Sequence, residues 1–242
     1  MASYILIHGG MHGGWCWERI VPLLEAAGHA VLAPDLPGMG ADRTPFATDV
    51  MSQWTDAMAA LVMEAEAPVI VVGHSRAGVT LSELGERMPE RIARLVYFAA
   101  VLAADGKGMG DMVVDFPDSG AAKLAAGVSV DEAAGTLTMT DLDAAAWGFY
   151  NMCAAEDVAA AQRRLSQEPL AIMASPIHVT PERFGRVPRA YIEAEFDNAM
   201  PLDVQRAMQR DWPCDPVITL PSDHSPFYSM PQRLAEALLS LA

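Results

Sequence analysis

The chain has 242 residues, 52% of them apolar and 19% charged, with 31 Asp and Glu against 16 Lys and Arg for a formal net charge of −15. A chain this apolar can bury a full core, which excludes intrinsic disorder, and its length points to one large domain rather than two small ones. The negative field disfavours phosphate backbones and anionic lipid headgroups, so the expected partner is a small molecule, not nucleic acid or membrane.

Short runs of branched residues recur along the chain with helical patterns between them. Tyr4 to Ile7 reads as the first strand, and Trp17 to Ala27 as a helix, with Ile20, Leu23, Leu24 and Ala27 at helical spacing and Gly28 to stop it. Ala30 to Ala33 is the second strand, Val50 to Ala65 a helix, Val69 to Val72 the third strand and Thr80 to Arg87 the next helix. Leu95 to Ala99, Ala190 to Ala194 and Val217 to Leu220 complete the strands, and a last helix runs from about Gln232 to Leu241. Strands in this order need crossover connections, so the expected fold class is α/β: a mostly parallel sheet of about six strands flanked by helices. The alternation breaks over residues 103–187. There Gly106 to Gly110 and Pro117 to Gly120 read as loops, no strand core is evident, and Ala144 to Ala154 and Glu156 to Leu165 read as helices. The expectation is one domain over 1–242, its core formed by 1–102 and 188–242, with 103–187 as a helical cap over one end of the sheet.

Cys16, Cys153 and Cys214 are odd in number and scattered, lacking the pairing of a disulfide framework and the spacing of a zinc site. Met1 leads straight into the first strand without a basic region or cleavable apolar stretch, and no run of about 18 apolar residues occurs. A soluble, cytoplasmic protein is expected, without metal or cofactor.

The chemistry concentrates in Val69-Ile70-Val71-Val72-Gly73-His74-Ser75-Arg76-Ala77-Gly78, a buried strand turning into a helix around Gly73-x-Ser75-x-Ala77. A serine on such a strained turn needs small flanking residues, and Ala77 stands where a second glycine is usual, with Gly78 following. Read alone, the segment could be a strand and a helix with Ser75 as N-cap. Serine becomes a nucleophile only with a base in hydrogen-bond reach and a carboxylate to orient that base. His224, in Ser222-Asp223-His224-Ser225-Pro226 after the last strand, and Asp197, in Glu195-Phe196-Asp197-Asn198 after the one before, supply them. The order Ser75, Asp197, His224 places all three at the carboxyl ends of parallel strands, where ligands bind in open α/β sheets. His8-Gly9-Gly10-Met11 follows the first strand, and the Gly10 and Arg76 amides are the expected pair of oxyanion donors.

These residues resemble the α/β-hydrolase family. His8-Gly9-Gly10, His12-Gly13-Gly14-Trp15-Cys16-Trp17, Ala33-Pro34-Asp35-Leu36-Pro37-Gly38, Gly73-His74-Ser75 and Asp223-His224-Ser225-Pro226 are similar to the group uniting plant methylesterases with hydroxynitrile lyases. Phe149-Tyr150-Asn151-Met152-Cys153 resembles that group's cap helices. Tyr191 to Pro201 and Ser225 to Pro231 are closer still to bacterial carboxylesterases that hydrolyse pyrethroid esters. The resemblance spans nearly the whole chain, least over Ala104 to Leu142. It implies a cofactor-independent serine carboxylesterase for a small to medium hydrophobic ester, such as a pyrethroid-type or methyl ester. Two alternatives stand beside it: a hydroxynitrile lyase or carbon–carbon lyase or hydrolase on the same triad, and a non-catalytic ligand receptor. The lyases of the group carry a threonine after the first histidine and a lysine after the catalytic one; here these positions hold Gly9 and Ser225, which favours ester hydrolysis. Met11, His12, Trp147, Phe149 and Tyr150 are the expected pocket residues, with Met173 and Phe184 further along. Arg76 is unusual after the nucleophile, and a bridge to an acidic cap residue is the favoured expectation over a bond to a substrate carboxylate. A homodimer is an admissible assembly.

Overall fold

The computed structural model describes residues 1–117 and 119–242. Asp118, inside the expected Pro117–Gly120 loop, lies outside the described residues. Among the described residues, nine strands form two sheets. The main sheet contains β1 (Ser3–Ile7), β2 (Ala30–Leu32), β3 (Val69–His74), β4 (Ile92–Phe98), β8 (Arg189–Ala194) and β9 (Val217–Leu220), in the order β2-β1-β3-β4-β8-β9. Every pairing in it is parallel. Helices α1 (Val21–Ala26), α2 (Val50–Glu64) and α3 (Ala77–Arg87) connect the first four strands, and α8 (Leu202–Met208) connects the last two. The chain ends in α9 (Pro226–Ser229) and α10 (Pro231–Leu239).

Alternate residues of a strand point to opposite faces, and the core divides accordingly. Ile5, Ile7, Val69 and Val71 pack with Trp54 and Met58 of α2 and Leu81 and Leu84 of α3. Tyr4, Leu6, Ile70 and Val72 pack on the other face with Trp17, Leu24 of α1 and Leu234 and Leu238 of α10. Both faces are covered, which is why these strands read as continuous apolar runs rather than as alternation. The chain leaves β1 toward β2 on one side and returns to β3 on the other, so the order of strands reverses between β1 and β3. The loops following those two strands open a crevice at their carboxyl ends, the usual ligand position of such sheets.

The insertion between β4 and β8 contains α4 (Met109–Asp115), α5 (Gly120–Ala126), α6 (Leu142–Phe149) and α7 (Ala155–Gln162). It also contains a small antiparallel sheet of β5 (Val128–Asp131), β6 (Thr136–Met139) and β7 (Glu168–Pro169), so the cap is not purely helical as expected. Val128 and Val130 face Leu137 and Met139 across a turn in which Asp131 Oδ1 accepts the Ala134 N–H and Gly135 takes a φ of 65°. The signal is two four-residue alternations around a Gly-containing turn, too short to stand out among Ala-rich neighbours. Helices α4 and α5 begin inside the two stretches read as loops.

Gly78, one residue beyond the position usually held by glycine, sits where a Cβ would overlap the Val101 carbonyl oxygen. Val101 is itself tied down, its N–H donated to the Ser75 carbonyl at 3.0 Å. Because the obstacle is backbone, Gly78→Ala is expected to reach the upper end of the ~1–3 kcal/mol typical of overpacking, read as a lowered midpoint in urea unfolding. Ala77, fully buried, fits as it stands, which accounts for Gly-x-Ser-x-Ala at this turn.

Candidate active site

Ser75 lies between the last residue of β3 and the first of α3 with φ 54°, a conformation rare for a residue with a Cβ. Neighbouring backbone holds it there. Its N–H is donated to the Phe98 carbonyl at 3.2 Å, and its carbonyl accepts from Gly78 at 3.1 Å and Val101 at 3.0 Å.

His224 follows β9 and Asp197 follows β8, and the two meet beneath the cap. The His224 Nδ1–H is donated to Asp197 Oδ2 at 2.6 Å, both side chains being nearly inaccessible. The other carboxylate oxygen of Asp197 accepts the Ala199 and Met200 N–H groups, each at 2.8 Å. Phe149 of the cap stacks on the His224 ring, centroids 5.8 Å apart. His74 Nε2–H is donated to the His224 carbonyl at 2.9 Å, fixing the backbone that carries the imidazole. Burial, reinforced by neighbouring histidines, holds His74 neutral with its pKa well below the ordinary histidine range. Among the described residues, neither the Ser75 hydroxyl nor His224 Nε2 has a protein hydrogen-bond partner, and both residues line one cavity.

The turn after β1 lies against this serine: a Cβ on Gly9 would stand 3.0 Å from Ser75 Cβ. The Gly9 carbonyl accepts His8 Nδ1–H at 2.9 Å, and His8 Nε2 accepts the Leu36 N–H at 3.1 Å. The Gly10 carbonyl accepts His12 Nδ1–H at 2.7 Å, while His12 Nε2 accepts the Tyr150 hydroxyl at 2.8 Å. Both histidines are neutral rings in fixed tautomers, with burial pushing His8 down to about 3 and His12 to about 4. The Gly10 and Arg76 N–H groups meet no protein acceptor among the described residues.

The cavity has a volume of about 340 Å³ and a mainly aliphatic wall in which Met11, Met109, Met112, Met139, Met173 and Met200 all take part. Of the expected pocket residues, Met11, His12 and Phe149 line it and Met173 joins them. Trp147 and Tyr150 do not. On α6 the residues facing inward are Ala145, Gly148 and Phe149, which leaves Trp147 on another face with Lys123 Nζ 3.5 Å from its ring centroid. Tyr150 is buried behind His12 and reaches the cavity only through it. Phe184 is buried under the sheet's opposite layer, edge-on to Trp212.

Arg76 is fully buried, lies over the Trp54 ring at 4.2 Å, and pairs through Nε with Glu168 Oε1 of β7 at 2.7 Å. This is the bridge to an acidic cap residue. Burial lowers the Arg76 pKa and Glu168 opposes that shift. Glu168 had no local signal in sequence; only the expectation that Arg76 bridges to some acidic cap residue, in a chain of net charge −15, pointed toward it. Arg76 and Glu168 are the only formally charged acidic or basic residues lining the cavity among the described residues. Among the described residues, no group of three or more His, Cys, Asp or Glu is placed to hold a metal ion, and no helix is long and apolar enough to cross a membrane.

Comparison with known proteins adds an independent line. Residues 4–237 match the model of the alpha/beta hydrolase family. A pyrethroid hydrolase of Sphingobium wenxiniae is 35% identical over 247 residues, covering 100% of this chain and 88% of that protein. Methylesterase 1 of Arabidopsis thaliana is 30% identical over 251 residues, covering 99% and 95%. The crystal structure of a pyrethroid hydrolase from Sphingobium faniae superposes with a TM-score of 0.88 at 33% identity, covering 99% of this chain and 96% of that one. With the match running the length of the sheet and cap alike, the protein is a hydrolytic enzyme and belongs to the α/β-hydrolase family, related to bacterial pyrethroid hydrolases and plant methylesterases.

Proposed function

We propose that the protein is a serine carboxylesterase for neutral, hydrophobic esters, with Ser75 as nucleophile, His224 as general base and acid, and Asp197 orienting the imidazole. The observation that carries this reading is the buried Asp197–His224 pair opening onto the cavity that also exposes Ser75. The Asp197 bond fixes the proton on His224 Nδ1, so Nε2 has a lone pair free to take the Ser75 proton. The Ser75 oxygen then bonds the ester carbonyl carbon, and the carbonyl electrons move onto its oxygen, facing the Gly10 and Arg76 N–H groups. Collapse of this intermediate breaks the carbon–oxygen bond to the alcohol, which leaves with the proton from His224. Water, deprotonated by the same Nε2, attacks the acyl-enzyme; collapse releases the acid and returns the proton to Ser75.

The wall supports the substrate class. Flexible thioethers adapt to bulky aliphatic and aromatic groups, and the single arginine of the cavity is already paired with Glu168. With that charge engaged, no free cation lines the cavity among the described residues to hold a departing cyanide, which favours hydrolysis over the lyase alternative. Pyrethroid-type and methyl esters of hydrophobic acids are the first substrates to try.

A p-nitrophenyl ester series with wild type and Ser75→Ala tests the reading. Wild type should turn over, and the variant should lose at least ~10⁴-fold in kcat. Absence of wild-type turnover on every ester, or a Ser75→Ala enzyme that keeps its rate, overturns it.

A further inference from the structure

The turn after β1 is pinned at three successive peptide groups. The Gly9 carbonyl accepts from His8 Nδ1 at 2.9 Å and from Arg76 Nη2 at 3.2 Å. The Gly10 carbonyl accepts from His12 Nδ1 at 2.7 Å, and the N–H of the same peptide, that of Met11, is donated to Glu168 Oε2 at 2.7 Å. The Met11 carbonyl accepts the Ser166 N–H at 2.8 Å. Met11 itself has φ 59°, left-handed for a residue with a long side chain. A conformation of this kind is strained and persists only where surrounding contacts over-determine it. Here those contacts come from the cap, through Ser166 and Glu168.

Glu168 therefore spans both halves of the expected oxyanion hole. One oxygen holds the Met11 N–H, immediately after Gly10; the other holds Arg76 Nε, the side chain of the residue whose own amide is the second donor. Arg76 in turn bonds the Gly9 carbonyl. A peptide group is planar, so donors fixed on the Gly9 oxygen fix the direction of the Gly10 N–H on its far side. The guanidinium charge on that oxygen also polarises the peptide and strengthens the N–H as a donor.

Resting on the esterase reading above, we infer that Glu168 is a positioning residue for ester hydrolysis: through Met11 and Arg76 it sets the Gly10 and Arg76 N–H groups in the geometry that receives the oxyanion. The hole is then complete only with the cap seated, because Glu168 and Ser166 reach the turn from the cap. Since the negative charge they meet develops in the transition state, disturbing the alignment should lower kcat more than it changes substrate binding.

The test uses the full-length enzyme with Glu168→Gln and the double variant Arg76→Leu/Glu168→Leu, beside wild type and Ser75→Ala, on one p-nitrophenyl ester. Glu168→Gln keeps an acceptor for the Met11 N–H and loses the ion pair. The double variant loses both links but leaves no unpaired buried charge, and replacing a buried pair by apolar residues is often neutral for stability. Expected is a fall in kcat of about 10-fold for Glu168→Gln and about 100-fold for the double variant, with KM within about threefold of wild type. Affinity for a trifluoromethyl ketone carrying the same acyl chain, which forms an oxyanion on Ser75, should fall by the same factors as kcat. Binding of the corresponding methyl ketone should not change. A folded Glu168→Gln or double variant with wild-type kcat, a loss confined to KM, or unchanged trifluoromethyl ketone affinity overturns the inference. Ser75→Ala separates the cases: an active wild type with an inactive Ser75→Ala secures the esterase reading whatever Glu168 does, whereas an inactive wild type ends both.

Discussion

Asp197→Asn is expected to lower kcat by about 10⁴-fold while leaving KM and the fold nearly unchanged. The reason lies in the three hydrogen bonds that the side chain accepts. One oxygen of Asp197 accepts two backbone N–H groups, from Ala199 and Met200, and the other accepts His224 Nδ1–H. An asparagine at this position has one acceptor and one donor end. The two backbone donors dictate which end faces them: the carbonyl oxygen must stay there, because turning the amide nitrogen toward two N–H groups would leave all three donors unpaired and buried. The Nδ2 group is then aimed at His224 Nδ1. To accept from it, the imidazole must shift its proton to Nε2, the atom that has to take the proton of Ser75. The ring remains in place with the wrong tautomer, so substrate still binds and the chemical step fails. Steady-state kinetics on a p-nitrophenyl ester measure the loss, and proton NMR should show the downfield Nδ1–H resonance of the buried pair disappear. A variant within tenfold of the wild-type rate would move the orienting acid elsewhere in the chain.

Much of the frame was legible in the sequence, for a physical reason. Parallel strands covered on both faces must be apolar along their whole length, so Tyr4-Ile5-Leu6-Ile7 and Val69-Ile70-Val71-Val72 stand out, and the helices between them force the crossovers. The same logic places Ser75, Asp197 and His224 at one edge, since each lies just after a parallel strand; Ser75 and His224 line one cavity, and Asp197 is hydrogen-bonded to His224 Nδ1 behind it. The cap was less legible because its elements are short and its contacts are made with the core. Val128-Ser129-Val130-Asp131 and Thr136-Leu137-Thr138-Met139 each offer only two apolar residues to one face. Aromatic content misled at α6: Trp147 and Phe149 are two residues apart, and on a helix that spacing sends them to different faces, so only Phe149 reaches the cavity. Glu168 illustrates the limit most clearly. It sits in a two-residue strand, it is separated from Arg76 by α3, β4 and most of the cap sequence, and it meets a buried counter-charge that only the folded chain brings within 2.7 Å.

The second large effect is on stability in mild acid. His8, His12 and His74 are buried and neutral, with folded pKa values of about 3, about 4 and well below the ordinary value, desolvation being the leading cause in each. All three are lowered relative to an unfolded histidine near pH 6.5, so their contribution to stability is present above that pH and is lost as pH falls toward the folded values. Between about pH 6.5 and pH 4 the unfolded chain takes up protons at these positions that the folded protein refuses, and unfolding becomes progressively easier. His8 and His12 each give up about 2 kcal/mol between pH 7 and pH 5, about 4 kcal/mol together, and His74 adds to the loss in the same direction, a large part of the ~5–15 kcal/mol that holds an ordinary domain folded. The tautomers explain why protonation is resisted: His8 Nε2 and His12 Nε2 are already acceptors, for the Leu36 N–H and the Tyr150 hydroxyl, so an added proton would set donor against donor in a sealed site. Urea unfolding at pH 7, 6 and 5 should show the midpoint falling steeply and the slope steepening below pH 6.5. His12→Gln, which offers an acceptor to Tyr150 without a titrating ring, should remove the ~2 kcal/mol of that pH dependence which the His12 ring contributes. A stability that stays flat from pH 7 to pH 5, or a His12→Gln profile parallel to wild type, would show that protons enter these sites without unfolding the protein.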